Sequence, residues 1–214
     1  MVARYPEHPA HSVAEGYFLR LAGEHTAAAA CFRARLDAGP LPANAWLRLH
    51  AESLLALAWA GDLEGARRFC GDALRHGTPA TQADLCATLA ATVCCREVST
   101  LLPEADIWSQ EALKIDPASI HYTAVRGAVL VEAGHLEEGA PMLRRAWDTS
   151  SNDADAAIGA LYLAQVAGRL GQEGARRRWR SRACLFTNLG RWLAARLEHL
   201  DGLAARPAVS PVVR

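Results

Sequence analysis

Glu104-Ala105-Asp106-Ile107-Trp108-Ser109-Gln110-Glu111-Ala112-Leu113-Lys114-Ile115-Asp116-Pro117 is the stretch that decides the fold of this 214-residue chain. Its small residues, Ala105 and Ala112, fall on one side of a helix, and Pro117 stops that helix. The stretch has relatives on both sides. Upstream, Gly61-Asp62-Leu63-Glu64-Gly65-Ala66 leads through Phe69 to Ala73-Leu74. Downstream, Gly134-His135-Leu136-Glu137-Glu138-Gly139 leads through Leu143 to Ala146-Trp147. A fivefold period runs through the chain.

The period is a turn glycine, a small residue five positions on, a large apolar residue four beyond that, and a proline about seventeen after the glycine. From Gly23 it falls on Ala28, Phe32 and Pro40. From Gly61 it falls on Ala66, Cys70 and Ala73, with Pro79 one place late. The third copy has Thr100 in place of its glycine, followed by Ala105, Ala112 and Pro117. The fourth keeps Ala146 and puts Gly139 at the small position. In the fifth, Gly171 agrees with Ala183, while Ala175 and Trp179 fit one residue out of step. Seven residues before two of the turns lie Gly16 and Gly127, small residues of the first helix in each pair. Turn positions 23, 61, 100, 134 and 171 are thus spaced by 38, 39, 34 and 37.

This series resembles the tetratricopeptide repeat (TPR), about 34 residues folded as two antiparallel helices. The resemblance covers roughly residues 12–186 and implies an all-α, right-handed solenoid of about five helical hairpins that binds protein partners. The physical pattern agrees. Small residues let helix backbones approach, the large residue four later fills the space beside that contact, and glycine suits the left-handed residue ending a helix. Sustained period-two alternation is absent and β-branched residues are sparse.

The expected hairpins span 12–39, 43–76, 80–116, 118–149 and 154–186. Residues 1–11 read as an irregular lead-in. Residues 188–203 read as a capping helix with Asn188 as N-cap, Leu189, Leu193, Leu197 and Leu200 on one stripe, and Trp192 beside it as a candidate homodimer contact. The solenoid with its cap would occupy 12–203, and 204–214, with Pro207 and Pro211, a disordered tail.

Composition excludes several functions. With 23 basic and 23 acidic residues the net charge is zero, so the whole surface is not built to attract nucleic acid or acidic membranes. No leader pattern follows Met1, and no apolar stretch approaches the ~20 residues that span a bilayer. Cysteines placed within helices suit reduced thiols. These features point to a cytoplasmic, bacterial protein without membrane insertion.

The resemblance further implies a concave groove lined by the first helix of each hairpin. Counting back from the turns gives a partner-binding set of Tyr17, Arg20, Arg48, Leu55, Cys94, Glu97, His121 and Gln165, among smaller apolar residues such as Ala51, Ala87, Ala124, Ala128, Val131, Ile158 and Leu161. Family members that clamp a terminal carboxylate use asparagine, lysine and arginine here. This chain lacks the first two, so an apolar or helical segment is the expected guest.

Other clusters carry less. Cys86, Cys94 and Cys95 share a helix, and Cys86 and Cys94, eight residues apart, have sulfurs ~12 Å apart by helical rise, too far for one metal. The eight histidines are scattered. Arg176-Arg177-Arg178-Trp179-Arg180-Ser181-Arg182 could track phosphates, but on a helix these side chains point all round, and Trp179 occupies the buried aromatic place. No nucleotide, hydrolase or metalloprotease motif occurs. The sequence therefore assigns no catalytic residue, cofactor or metal. It points to a non-catalytic protein–protein interaction scaffold (adaptor, assembly factor or regulatory sensor). The alternatives are a nucleic-acid-associated regulator using the fifth repeat and an accessory subunit of an enzyme complex.

Overall fold

A computed structural model describes residues 10–75, 78–189 and 196–198. Among these residues there are ten α-helices and no strand. They are α1 (Ala10–Leu21), α2 (His25–Asp37), α3 (Ala43–Trp59), α4 (Leu63–Arg75), α5 (Pro79–Cys95), α6 (Leu102–Ile115), α7 (Ile120–Glu132), α8 (Leu136–Thr149), α9 (Asp153–Arg169) and α10 (Glu173–Ala183). Consecutive pairs form five hairpins. The chain makes two compact units, residues 1–117 with α1–α6 and residues 118–214 with α7–α10.

Each hairpin closes by the same local device. Gly23, Gly61, Gly134 and Gly171 have φ between 68° and 92°. The amide after each donates back to the carbonyl five residues earlier, as in Glu24 to Leu19 at 2.8 Å and Asp62 to Leu57 at 3.0 Å. This ties off the carbonyls that the ending helix leaves without partners. At these four turns the second helix follows at once; Asp62 caps α4, its Oδ1 accepting from the Gly65 amide at 2.8 Å, and first helices carry side-chain caps as well. Thr78 caps α5, Ser119 caps α7 and Asn152 caps α9.

The third turn corrects the sequence reading. The left-handed residue is Glu97, at φ 57°, not Thr100. Val98 donates to Val93 at 3.0 Å, the same bond the glycine turns make. A 3-10 turn, Ser99–Leu101, then takes up three residues before α6. That insertion had shifted the count. With the turns at 23, 61, 97, 134 and 171 the intervals become 38, 36, 37 and 37. The repeat is regular at about 37 residues, longer than the family's 34 because first helices such as α3, α5 and α9 reach 17 residues.

The small positions sit at closest approach. Ala28, Ala66 and Ala105 are fully buried. In the second unit two glycines bring α7 and α8 together. A Cβ on Gly139 would lie 2.8 Å from the Gly127 carbonyl oxygen, and one on Gly127 would lie 2.8 Å from Leu143. Gly16 is pressed against Phe32 in the same way. The large position is filled by Phe32 in the first hairpin, Leu143 in the fourth and Trp179 in the fifth, all buried. In the first unit Leu54, Leu85, Leu89 and Leu101 complete the core, and in the second Val125, Leu161 and Tyr162 do so.

The last hairpin runs into a 3-10 segment, Cys184–Leu189, which includes Asn188. Of the expected capping helix beyond it, only Arg196–Glu198 are described, and they are helical. The rest of that helix, the dimer contact at Trp192, residues 1–9 of the lead-in and the tail at 204–214 lie outside the described residues.

Candidate functional site

In the first unit, α1 and α3 bring four chemically active side chains together. Tyr17 and Arg20 lie one turn apart on α1, and Arg48 and Glu52 one turn apart on α3. Arg20 pairs with Glu52 at 3.1 Å, and its guanidinium also stands 5.7 Å from the Tyr17 ring and 5.6 Å from Trp59. The Arg48 guanidinium lies 5.3 Å from the centroid of the same Tyr17 ring. Tyr17 is fixed from beneath by an edge-on contact with Phe32 at 5.3 Å. Burial, then the Glu52 carboxylate, push its phenol above the usual range, although Arg48 and Arg20 pull it down. It is therefore a neutral hydrogen-bonding group at any physiological pH.

The predicted residues fare differently from one another. Tyr17, Arg20 and Arg48 form one cluster. Leu55, on the same helix, is only 2% exposed and belongs to the core, as does Cys94. Glu97 is the turn residue described above. Counted back from Glu97, the position held by Arg48 in α3 and His121 in α7 is held in α5 by Asp84, an exposed residue the sequence count missed. Glu52 and Trp59 were missed as well, since each lies one residue past a counted position and not on one.

In the second unit His121 sits at the start of α7, with its Nδ1 2.6 Å from Oδ1 of buried Asp155 on α9. A carboxylate only accepts, so Nδ1 carries the proton. Asn152 holds Asp155 from both sides: its amide donates to Oδ2 at 2.6 Å, and its side-chain oxygen accepts from the Asp155 backbone at 3.0 Å. The His121 side chain is half-exposed.

Gln165 is not open to a partner. Arg196 donates to its side-chain oxygen at 2.9 Å, pairs with Glu132 on α7 and lies 5.5 Å from the Tyr162 ring. Arg169 reaches Glu132 from α9 and donates to the Val131 carbonyl. Ile158 and Leu161 are buried beside this network. The face of α9 that the sequence count left open is closed by the chain's own residues.

The arginine-rich helix α10 is divided in its contacts. Arg176 and Arg177 turn back to Glu173, at 2.7 and 3.6 Å. Arg182 lies against Trp179 and Trp147, at 4.4 and 5.4 Å. None of the six cysteines forms a disulfide, and burial pushes Cys70 up to about 12 and Cys86 to about 11. Among the described residues no group of three or more His, Cys, Asp or Glu could hold a metal ion, and no helix is long and apolar enough to cross a membrane.

No family model matches the sequence, and no curated protein matches it significantly. A solved structure does match: a thermophilic TPR protein from Thermus thermophilus, with a TM-score of 0.60 over 90% of this chain and 98% of that one, at 14% identity. The chain has the fold of a TPR protein. At that identity the likeness carries the architecture and not the guest. The first helices of the hairpins carry an aromatic and arginines in the first unit and a closed polar network in the second.

Proposed function

We propose that the protein is a non-catalytic scaffold of the bacterial cytoplasm, an adaptor, assembly factor or regulatory sensor that binds a segment of another protein across α1 and α3. The observation that carries this reading is the pairing of Tyr17 with Arg48. Arg48 is exposed, and no carboxylate among the described residues pairs with it, whereas Arg20 is already neutralised by Glu52. Arg48 is thus the group that meets an acidic side chain. Tyr17 and the partly exposed Trp59 supply rigid aromatic area, the kind that dominates binding energies. Phe18 and Leu21, at 70% and 74% exposure on α1, extend the apolar area.

The second unit favours a nucleic-acid regulator less than its arginine content suggests. Arg176 and Arg177 are held by Glu173, and Trp179 is buried and offers no stacking face.

The test starts from proteins that co-purify with the full chain from its native host and are identified by mass spectrometry. For a purified partner, Tyr17→Ala with Arg48→Ala should weaken binding at least tenfold while leaving the thermal melt within a few degrees. Arg177→Glu with Arg178→Glu should leave binding unchanged. The opposite pattern would move the interface to α10 and end the α1–α3 reading.

A further inference from the structure

A cavity of about 500 Å³ opens in the second unit among α8, α9 and α10. Its charged lining is Arg144, Arg178 and Arg182, and no acidic side chain contributes to it. Gln172 and Trp179 are its other polar or aromatic walls, and the remainder is alanine, leucine and valine. In a chain whose charges balance overall, three cations around one hollow with no anion is a local imbalance.

The imbalance is tight. Arg144 and Arg182 have their guanidinium carbons 4.5 and 4.4 Å from the centroid of the same ring, Trp179, so they are at most about 9 Å apart. None of the three arginines forms an ion pair with a described residue, in contrast to Arg176 and Arg177 on the same helix. Like charges held this close repel, and a guest of opposite charge relieves that repulsion while gaining charge-assisted hydrogen bonds. Each guanidinium carries five N–H donors that a guest of opposite charge can engage.

We propose that this cavity binds a small polyanion bearing adjacent phosphate groups. Two features select that class. Three guanidiniums are matched by a guest carrying at least two negative charges, and paired phosphates present several oxygens to forked donors. Trp179 is 6% exposed and already covered by arginine, so a nucleobase has no ring face to stack on. The site thus reads phosphate and not base. It shares no residue with the α1–α3 face, so the partner reading and this one can fail separately.

The experiment is calorimetric titration of the full chain with inorganic pyrophosphate at fixed ionic strength, with sulfate and a single-stranded oligonucleotide as comparison probes. Pyrophosphate should bind at one site per chain and at least tenfold more tightly than sulfate. Arg178→Gln, which alters no aromatic contact, should weaken it about tenfold, and Arg144→Gln similarly. Arg177→Gln, outside the cavity, should bind as the parent does. Pyrophosphate binding no tighter than sulfate, or unchanged by Arg178→Gln, overturns the site. So does an oligonucleotide that binds tightly and is not displaced by pyrophosphate.

Discussion

Arg20 on α1 and Glu52 on α3 meet at 3.1 Å with no more than 14% of either side chain exposed. A charge pair so far out of water is costly to split, because the surviving partner keeps its desolvation and loses its counter-charge. Arg20→Ala or Glu52→Ala should each destabilise the first unit by about 3 kcal/mol. Arg20→Met combined with Glu52→Leu should recover most of that loss. Urea unfolding of the three variants decides it, and a double variant as weak as the singles would contradict the pairing.

The contact between α7 and α8 tolerates no added atom. Gly139→Ala would ordinarily strengthen a helix by up to about 1 kcal/mol. Here its methyl group meets a backbone oxygen that cannot move without the helix moving. The expected net result is a loss of about 1–3 kcal/mol. Ala66→Leu and Ala105→Leu should lose a similar amount at the buried contacts of the second and third hairpins. Thermal melts that match the parent would refute the close approach.

Glu97 holds a left-handed conformation that costs a side-chain-bearing residue about 1–2 kcal/mol. Glycine relieves that strain but brings back some unfolded-state entropy. Glu97→Gly should therefore stabilise the chain by about 0.5–1 kcal/mol, visible as a higher urea midpoint with an unchanged slope.

His50 is buried on α3, stacked on Phe69 at 5.2 Å, with its Nδ1 2.8 Å from the Trp46 carbonyl. That carbonyl can only accept, so the neutral ring donates from Nδ1. Burial lowers its pKa despite this bond. Protonation then favours the unfolded chain, so its contribution to stability is full above ~6.5 and is lost as pH falls from there toward the depressed folded value. The groups around it that also carry charge are Arg33, Asp37 and Asp72, which line the neighbouring hollow. The melting temperature should drop between pH 6.5 and 5, and His50→Leu should flatten that drop. Equal slopes for parent and variant would remove the assignment.

The thiols divide by burial. Cys70 and Cys86, pushed up to about 12 and 11, have almost no thiolate at pH 8 and should resist iodoacetamide until the chain unfolds. Cys31, Cys95 and Cys184 are part-exposed and should react in the native protein. Peptide mapping after brief labelling separates the two groups.

Much of the architecture was legible because it is written in local terms. Gly23, Gly61, Gly134 and Gly171 mark turns by a backbone need that only glycine meets cheaply, and Ala28, Ala66, Ala105, Gly127 and Gly139 mark contacts by size alone. Glu97 escaped because a charged residue in that conformation carries no sequence signal, and the three-residue insertion after it placed Thr100 where the turn was sought. The candidate site was half legible. Tyr17, Arg20 and Arg48 follow from helical spacing, but which arginine stays available depends on Glu52. Asp155 and Arg196, which engage His121 and Gln165, come from 34 and 31 residues away. Such pairings are set by how helices stack, not by any count along one helix.

The shared closing device of the five hairpins also bears on how fast the chain acquires its structure. Each bond at a turn joins residues five apart, and most packing is completed within a stretch of about 37. Little chain entropy must be surrendered before such contacts form, and helical proteins dominated by near neighbours fold in roughly microseconds to milliseconds. Any hairpin can start, and the next can assemble on it while the chain is still emerging from the ribosome.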